Sequence, residues 1–465
     1  MKAPIRLLAA FLILSTTACG KNESPFNGSS SDDDQEAFIA NWVQTIGTPS
    51  QDLYIRPPGQ VYGNGDGSSW ENAFAGLPET RVRGARYFFA AGDYFDQSLG
   101  RVENFVLDDA VQGELFIWLV KATARNHGSD AGFTQALAEG PAMLGPLAFI
   151  TGRYIIDGQT GSGMEGFGFE ISHRNCDLRA NNFIASPIFF PWNSETQYLL
   201  IEHTDIKDCG SHDDPTTRSQ DAIYAVNPVS HVVFRQNYIH DSWRNHLFLQ
   251  DAFDVMIEQN YFARAGLHHE ANSLAFRNTR NVVVRRNYIT DSQNCFISMQ
   301  DVRNVTISAN ILTKTLDDWD NWAGICSEFP AMNVKIIGNT FFGLEGLNVG
   351  IRFTSDVENL IVHNNIWANN DANQIMLNGE HSHNAFWNNR RVDGAEPMSI
   401  DGNHDEPTAQ FFTANPFVDS ANFDFRLTAH TTPGLRLNLP YINEDFNGIP
   451  RGATPDRGAF QFVAP

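Results

Sequence analysis

From residue 199 onward the chain alternates apolar and polar positions with a period of two, in short runs that repeat. Seven runs align: LLIEHTDI (199–206), VVFRQNYI (232–239), VMIEQNYF (255–262), VVVRRNYI (282–289), VTISANIL (305–312), VKIIGNTF (334–341) and LIVHNNIW (360–367). Their common column is Thr204, Asn237, Asn260, Asn287, Asn310, Asn339 and Asn365, at spacings of 33, 23, 27, 23, 29 and 26 positions. Each unit is a strand, a polar corner at the asparagine and a second strand. None carries an amphipathic helix, which argues against leucine-rich and ankyrin repeats. A period in the twenties with β-branched alternation suits one turn of a three-strand coil, so the expected fold is all-β, a parallel β-helix.

The recurring asparagine has a structural explanation. Asn tolerates left-handed backbone at a corner better than most residues. Its amide can also bond the amides of neighbouring coils, which stack about 4.8 Å apart. The column is therefore expected to satisfy corner backbone rather than to act as a site.

A third strand lies between the repeats: IYAVN (223–227), HLFLQ (246–250), SLAFR (273–277), ISMQ (297–300), ICSE (325–328), GIRFT (350–354) and QIMLN (374–378). Alternation sends Leu247, Leu249, Leu274, Phe276, Ile297 and Met299 inward. The outward column is then Asn227, Gln250, Arg277, Gln300, Glu328, Arg352 and Asn378. The longest connections, at 207–221, 240–245, 264–272 and 314–324, frame this face, and such loops on a rigid scaffold are where binding and catalysis concentrate.

The first 50 residues read differently. A basic start (Lys2, Arg6), an apolar run from Leu7 to Leu14 and small residues before Cys19 form a secretory signal over 1–19. That run is far short of the roughly 20 residues that span a bilayer. Thr16-Thr17-Ala18-Cys19 resembles a bacterial lipobox, with Thr16 where Leu is usual; it implies acylation of Cys19 and display as an outer-membrane or cell-surface lipoprotein. Residues 20–50, rich in Ser and Asp at their start, read as a flexible tether. The body is then 51–465: an N-terminal cap and first coils over 51–150, regular coils over 151–395 and a C-terminal cap over 396–465.

Charge narrows the partners. At −22 the chain lacks the basic stripe that a nucleic acid would need. Membrane contact is expected only through the lipid, and the protein is expected to be a monomer. Beyond Cys19 the cysteines are Cys176, Cys209, Cys295 and Cys326, with no CxxC spacing. In an oxidising compartment disulfides are expected. Cys295 and Cys326 fall near the same strand of successive coils, whose spacing lies inside the 4.4–6.8 Å that a bridge accepts. Cys176 and Cys209 match less well in strand position.

The repeats resemble the pectate-lyase-like superfamily of right-handed parallel β-helices. LYIRPPGQVYGNGDGSSWENAFAGLP (53–78) and ARYFFAAGDYFD (85–96) are similar to the entry into the first coil of its secreted bacterial members. IWLVKATARNHGSDAGF (117–133) and RYIIDGQTG (153–161) are similar to a largely uncharacterised subgroup. NPFVDSANFDFRLTAHTTPGL (415–435) with DFNGIPRGATPDRGAFQF (445–462) is similar to the C-terminal cap. The resemblance covers about 51–465 and implies a right-handed coil acting on polysaccharide. It does not choose a reaction, because the superfamily holds lyases, hydrolases, esterases, epimerases and adhesins.

The residues rank the reactions. A lyase must neutralise a uronate carboxylate, take the C5 proton and protonate the leaving oxygen. The resemblance implies a lysine or arginine as base; the face has no lysine, so Arg277, Arg352 or a histidine such as His246 would have to serve, although an arginine needs unusual help to lose its proton. The planar forks of Arg277 and Arg352 would also suit the carboxylate, with Glu328 between them. His246 and Glu270 would transfer protons, since histidine titrates near neutrality. Gln250, Gln300 and Asn378 would line the sugar path, and Trp319 and Trp322 would stack on rings or simply pack their loop. Asp317, Asp318 and Asp320 could hold Ca²⁺ through carboxylate oxygens, or form a solvated turn. A hydrolase needs two carboxyl groups, for which Glu270 with Glu328, or Asp221 with Asp251, are candidates. Galacturonase-like and epimerase-like signatures are absent. Lyase-type cleavage of a uronate-containing glycan leads, hydrolysis follows, and a non-catalytic glycan-binding or surface structural protein is the reading from another class.

Overall fold

The computed structural model describes residues 40–94, 105–172, 186–192, 194, 196–208, 221–266, 271–316, 323–327, 329–344, 350–353, 357–370, 379–389 and 406–464. Three long parallel sheets run the length of the coil, with 13 strands in sheet A, 12 in sheet B and 9 in sheet C. The chain visits them in turn. Ser230–Arg235 lies in A, Tyr238–Ser242 in B and Leu247–Gln250 in C, before Phe253–Glu258 re-enters A one coil higher. Helix is confined, among the described residues, to Asn41–Thr45, Gln135–Ala138 and Ser420–Asn422. None of these is long or apolar enough to cross a membrane.

The alternation in the sequence is what closes the coil. Leu199, Val232, Val255, Val282, Val305, Val334 and Leu360 pair in register along sheet A and are buried. Leu247, Leu249, Leu274, Phe276, Ile297 and Met299 fill the lumen from sheet C as expected. Each such aliphatic or aromatic side chain contributes roughly 1.5–3 kcal/mol when withdrawn from water.

The asparagine column forms the expected ladder at the corner between A and B. Asn287 Nδ2 donates to Ile257 O at 2.8 Å and to Asn310 Oδ1 at 3.0 Å, while its own Oδ1 accepts from the Asn260 backbone N–H and side-chain amide. The column continues through Asn365 to Asn384 and ends on the carboxylate of Glu406. One expectation is corrected. The left-handed residue at this corner is not the ladder asparagine but the one before it: His203, Gln236, Gln259, Arg286 and Ala309 all have φ between 52° and 58°. That single reversal turns the chain while the asparagine keeps ordinary backbone and points its amide inward.

Two further ladders escaped the sequence reading. At the corner between B and C, Asn272 donates to Asn245 Oδ1 and Asn245 to Asp221 Oδ1. On the outside of sheet A, Asn359, Asn333, Asn304, Asn281 and Asp254 form a solvent-side series, each on left-handed backbone. The Cys295–Cys326 disulfide is present, with Cα atoms 6.1 Å apart; Cys176 and Cys209 lie outside the described residues.

The C-terminal segment folds back over the corner between A and B. Arg286 Nε donates to Phe446 O, Ser308 Oγ to Tyr441 O and the Gly458 N–H to Asn364 O. At the other end, Trp42 stacks on Phe116 and meets Tyr198 edge-on, laying residues 40–46 across the outside of sheet A.

Candidate functional site

Sheet C presents the face that the sequence singled out, with changes of register. Gln250, Arg277 and Gln300 are directly paired on successive strands, so three members of the predicted column stand together. Arg352 does not join them. It pairs with Cys326, which pairs with Ser298, so it sits two positions back along the strand direction. Asn227 is also displaced: Ala225 pairs with Leu249, which carries Asn227 one residue beyond Gln250. Its amide instead donates to Pro191 O.

His246 is placed elsewhere altogether. The proton-transfer role expected of it needs access to the outer face, but it is wholly buried inside the coil, where Nε2 bonds Ala263 O at 2.9 Å and the ring lies against Phe262. Burial, chiefly, drives its pKa down to about 3, so it is neutral across the physiological range. It cannot reach a ligand on the outer face. Glu270, Glu328, Asn378, Trp319, Trp322, Asp317, Asp318, Asp320 and Cys19 lie outside the described residues.

What the face does hold follows from strand parity. The outward residues two positions before the polar column are Phe189, Tyr224 and Phe248, paired in register and stacked with ring centroids 6.1 and 5.6 Å apart. All three are half-buried, and Trp192 nearby is 70% exposed. Higher up, the same outward positions shrink to Ala275 and Ser298, which leaves Arg277 and Gln300 standing over small neighbours. Arg277 is exposed, and among the described residues no carboxylate lies within ion-pair distance of its guanidinium. Just past it, Asn278, Asp301, Arg303, Met332 and Glu358 line a concavity of ≈ 520 Å³ at the corner between C and A. The face thus offers ring stacking at one end and a planar cation at the other.

Sheet B carries a cluster that the sequence reading missed. His240 Nε2 lies 2.8 Å from Asp205 and Nδ1 2.7 Å from Asp241; Asp241 also pairs with Arg264, whose other nitrogen donates to Tyr238 Oη. Burial opposes the imidazolium, but the two carboxylates outweigh it and hold the His240 pKa above its ordinary value. All its polar groups are partnered, so it ties three coils together rather than awaiting a ligand. The recurrence of YIHDS at 238–242 and YITDS at 288–292 is the available signal, because it sets a histidine where the two coils above carry Ala263 and Thr290.

The geometry defines a right-handed parallel β-helix protein. Residues 192–341 match the family described as the right handed beta helix region. Among solved structures, pectate lyase Pel9A is similar, with 14% identity, coverage of 90% of this chain and 98% of that one, and a TM-score of 0.47. A rhamnogalacturonan lyase is similar at 10% identity, covering 86% and 99%, with a TM-score of 0.42. The catalytic unit of the GH87 alpha-1,3-glucanase of Streptomyces thermodiastaticus is similar at 10% identity, covering 78% and 70%, with a TM-score of 0.37. No curated protein matches the chain in sequence. At these identities the likeness does not carry an activity from one chain to another.

Proposed function

We propose that this is a carbohydrate-active protein that binds a uronate-containing polysaccharide along the outer face of sheet C. The observation that carries the reading is Arg277. In a chain of net charge −22, its guanidinium stands exposed and without a described carboxylate partner, in register between two glutamines. A planar fork suits a sugar carboxylate better than a lysine does, and binds it in two places. Coils rise about 4.8 Å each, so a glycan lying along the axis passes Gln250, Arg277 and Gln300 in turn and reaches the aromatic stack below.

The reaction that this face fits best is elimination. A base removes the C5 proton, the C4–O4 bond breaks as the C4=C5 double bond forms, and the leaving oxygen takes a proton. Arg277 holds the carboxylate and so stabilises the charge that grows on it. With His246 inside the coil, Glu270 and Glu328, both outside the described residues, remain the candidates for proton transfer. Export and acylation at Cys19 would bring this face to polymers outside the cell. A panel of polysaccharides read at 235 nm for unsaturated uronates and by reducing-end assay tests the reading. Absorbance with new ends supports elimination, and new ends alone mean hydrolysis. Retention of a uronate glycan without either means binding alone, and no retention on any acidic glycan overturns the proposal.

A further inference from the structure

Along the outside of sheet A, next to the corner with B, one column of paired residues reads Asp157, Glu202, Arg235, Glu258, Arg285. From Glu202 upward the charges alternate and close as ion pairs. Arg235 Nε donates to Glu202, Arg285 lies 2.7 Å from Glu258, and Glu444 from the C-terminal segment approaches Arg285 at 3.8 Å. The alternation fails at one step. Glu202 is paired directly with Asp157, another carboxylate, and below Asp157 the column continues with Val120. Like charges placed opposite each other on neighbouring strands repel. His203, the corner residue, meets that step, with its Nδ1 2.9 Å from Asp157 Oδ1.

We propose that Asp157, Glu202 and His203 bind a divalent transition-metal ion of the zinc type. Their donor atoms already lie within 4.8 Å of one another. Tetrahedral zinc with bonds of about 2.0–2.1 Å places donors about 3.3 Å apart, which small side-chain rotations reach. One imidazole with two carboxylates is a zinc-type donor set, whereas Ca²⁺ takes six to eight oxygens. The supports are in place. Glu202 keeps Arg235 on Oε2, which orients the carboxylate and leaves Oε1 for the ion; Asp157 is fixed by the Gln159 N–H at 2.6 Å. His203 is held on left-handed backbone at φ 54°, which turns its ring back toward the strand ends. Three protein donors leave a fourth position for water or a ligand atom, and the side chains of Asp157 and His203 keep 25% and 22% of their surface exposed. The site is separate from the sheet C face and adds to it.

Chelator-treated full chain titrated with Zn²⁺ by calorimetry and thermal unfolding provides the test. Wild type is expected to bind one ion with a rise in Tm, and its Co²⁺ form to show the intense visible band of four-coordinate cobalt. Asp157→Asn and His203→Gln keep the side-chain shape, so their metal-free Tm should stay close to wild type while affinity falls roughly tenfold or more. Should either variant fail to fold, the wild-type Co²⁺ spectrum still decides, since a pale six-coordinate spectrum overturns the assignment. So do failure to bind Zn²⁺, binding that both variants leave unchanged, or a Tm that rises with Ca²⁺ and not with Zn²⁺.

Discussion

Asn287 Nδ2 stands 3.0 Å from Asn310 Oδ1, and the same oxygen accepts the Asn287 backbone N–H at 2.9 Å. One side-chain amide therefore serves the backbone of its neighbour coil as well as the ladder. Replacing Asn287 by leucine removes the acceptor for two donors of Asn260 and the donor to Ile257 O, all of them buried. Each buried group left unpaired costs about 1–3 kcal/mol, so Asn287→Leu should lose at least roughly 2 kcal/mol. Gln112→Leu, at an exposed position, should lose little. Equal shifts of the urea midpoint in both variants would contradict this role for the ladder.

Asp221 begins the second ladder, accepting the Asn245 N–H at 2.9 Å and its side-chain amide at 2.6 Å, and burial pushes its pKa up to about 6. An unfolded aspartate titrates near 3.9. Between those values the folded chain holds a proton that the unfolded chain has released. Stability from this group is therefore present below about pH 4 and falls as pH rises through 6, by roughly 3 kcal/mol in all. Asp221→Asn keeps the acceptor and cannot ionise. It should be more stable than wild type at pH 8 and lose that advantage at pH 4. Parallel urea titrations at the two pH values check this, and an unchanged gap would show that Asp221 ionises as freely folded as unfolded.

How far the sequence could lead is clearest in sheet C. Leu247, Leu274 and Ile297 were assigned inward from period-two alternation alone, because a coil buried on one side leaves alternation little freedom. Register was harder. Arg352 was given the correct side but slid by two positions, since a shift of two preserves parity and the unequal connections before 350 hide the count. Asn227 slid by one, past the end of its short strand Ile223–Ala225. His246 is misplaced because alternation, run back from Leu247 and Leu249, sends it outward, whereas the strand begins only at Leu247 and the residue before it turns inward. Its counterparts one residue before Ile223, Leu274 and Ile297 are Ala222, Ser273 and Phe296, all buried and none charged. That column of small and apolar residues was legible and marks an interior position. The break in charge alternation at Asp157 and Glu202 is not legible, because it needs the pairing of strands 45 positions apart and the aligned repeats begin only at 199, above Asp157.

The interior position of His246 changes what its removal should do. Its folded pKa of about 3 lies below the ordinary value near 6.5. The stability it contributes is thus complete above pH 6.5 and lost as pH falls toward 3, when the unfolded chain takes up the proton that the folded chain refuses. His246→Leu is expected to flatten this acid limb, lowering the pH midpoint of acid unfolding. It should leave glycan retention at pH 7 unchanged. Acid titration of the far-UV signal measures the first effect and affinity electrophoresis the second. Loss of retention by a stable, folded variant would return His246 to the site.

Arg277 and Arg352 provide the sharpest contrast on the outer face. Both point away from the lumen, yet they occupy different columns: Arg277 pairs with Gln250 and Gln300, Arg352 with Cys326. A glycan following the polar column meets Arg277 directly, with the guanidinium free to grip a carboxylate in two places. A charge-assisted hydrogen bond of that kind is worth about 1.5–3 kcal/mol, so Arg277→Ala should weaken retention of a uronate glycan by roughly tenfold to a hundredfold. Its exposure and lack of a described ion pair mean that Tm should barely move. Arg277→Lys keeps the charge but loses the fork, and should recover only part of the affinity. Arg352→Ala should cost less, because its column runs beside the path rather than under it. Affinity electrophoresis against one uronate polymer and one neutral polymer measures all four chains together. If Arg352→Ala weakens retention as much as Arg277→Ala, the glycan crosses the columns instead of following one of them.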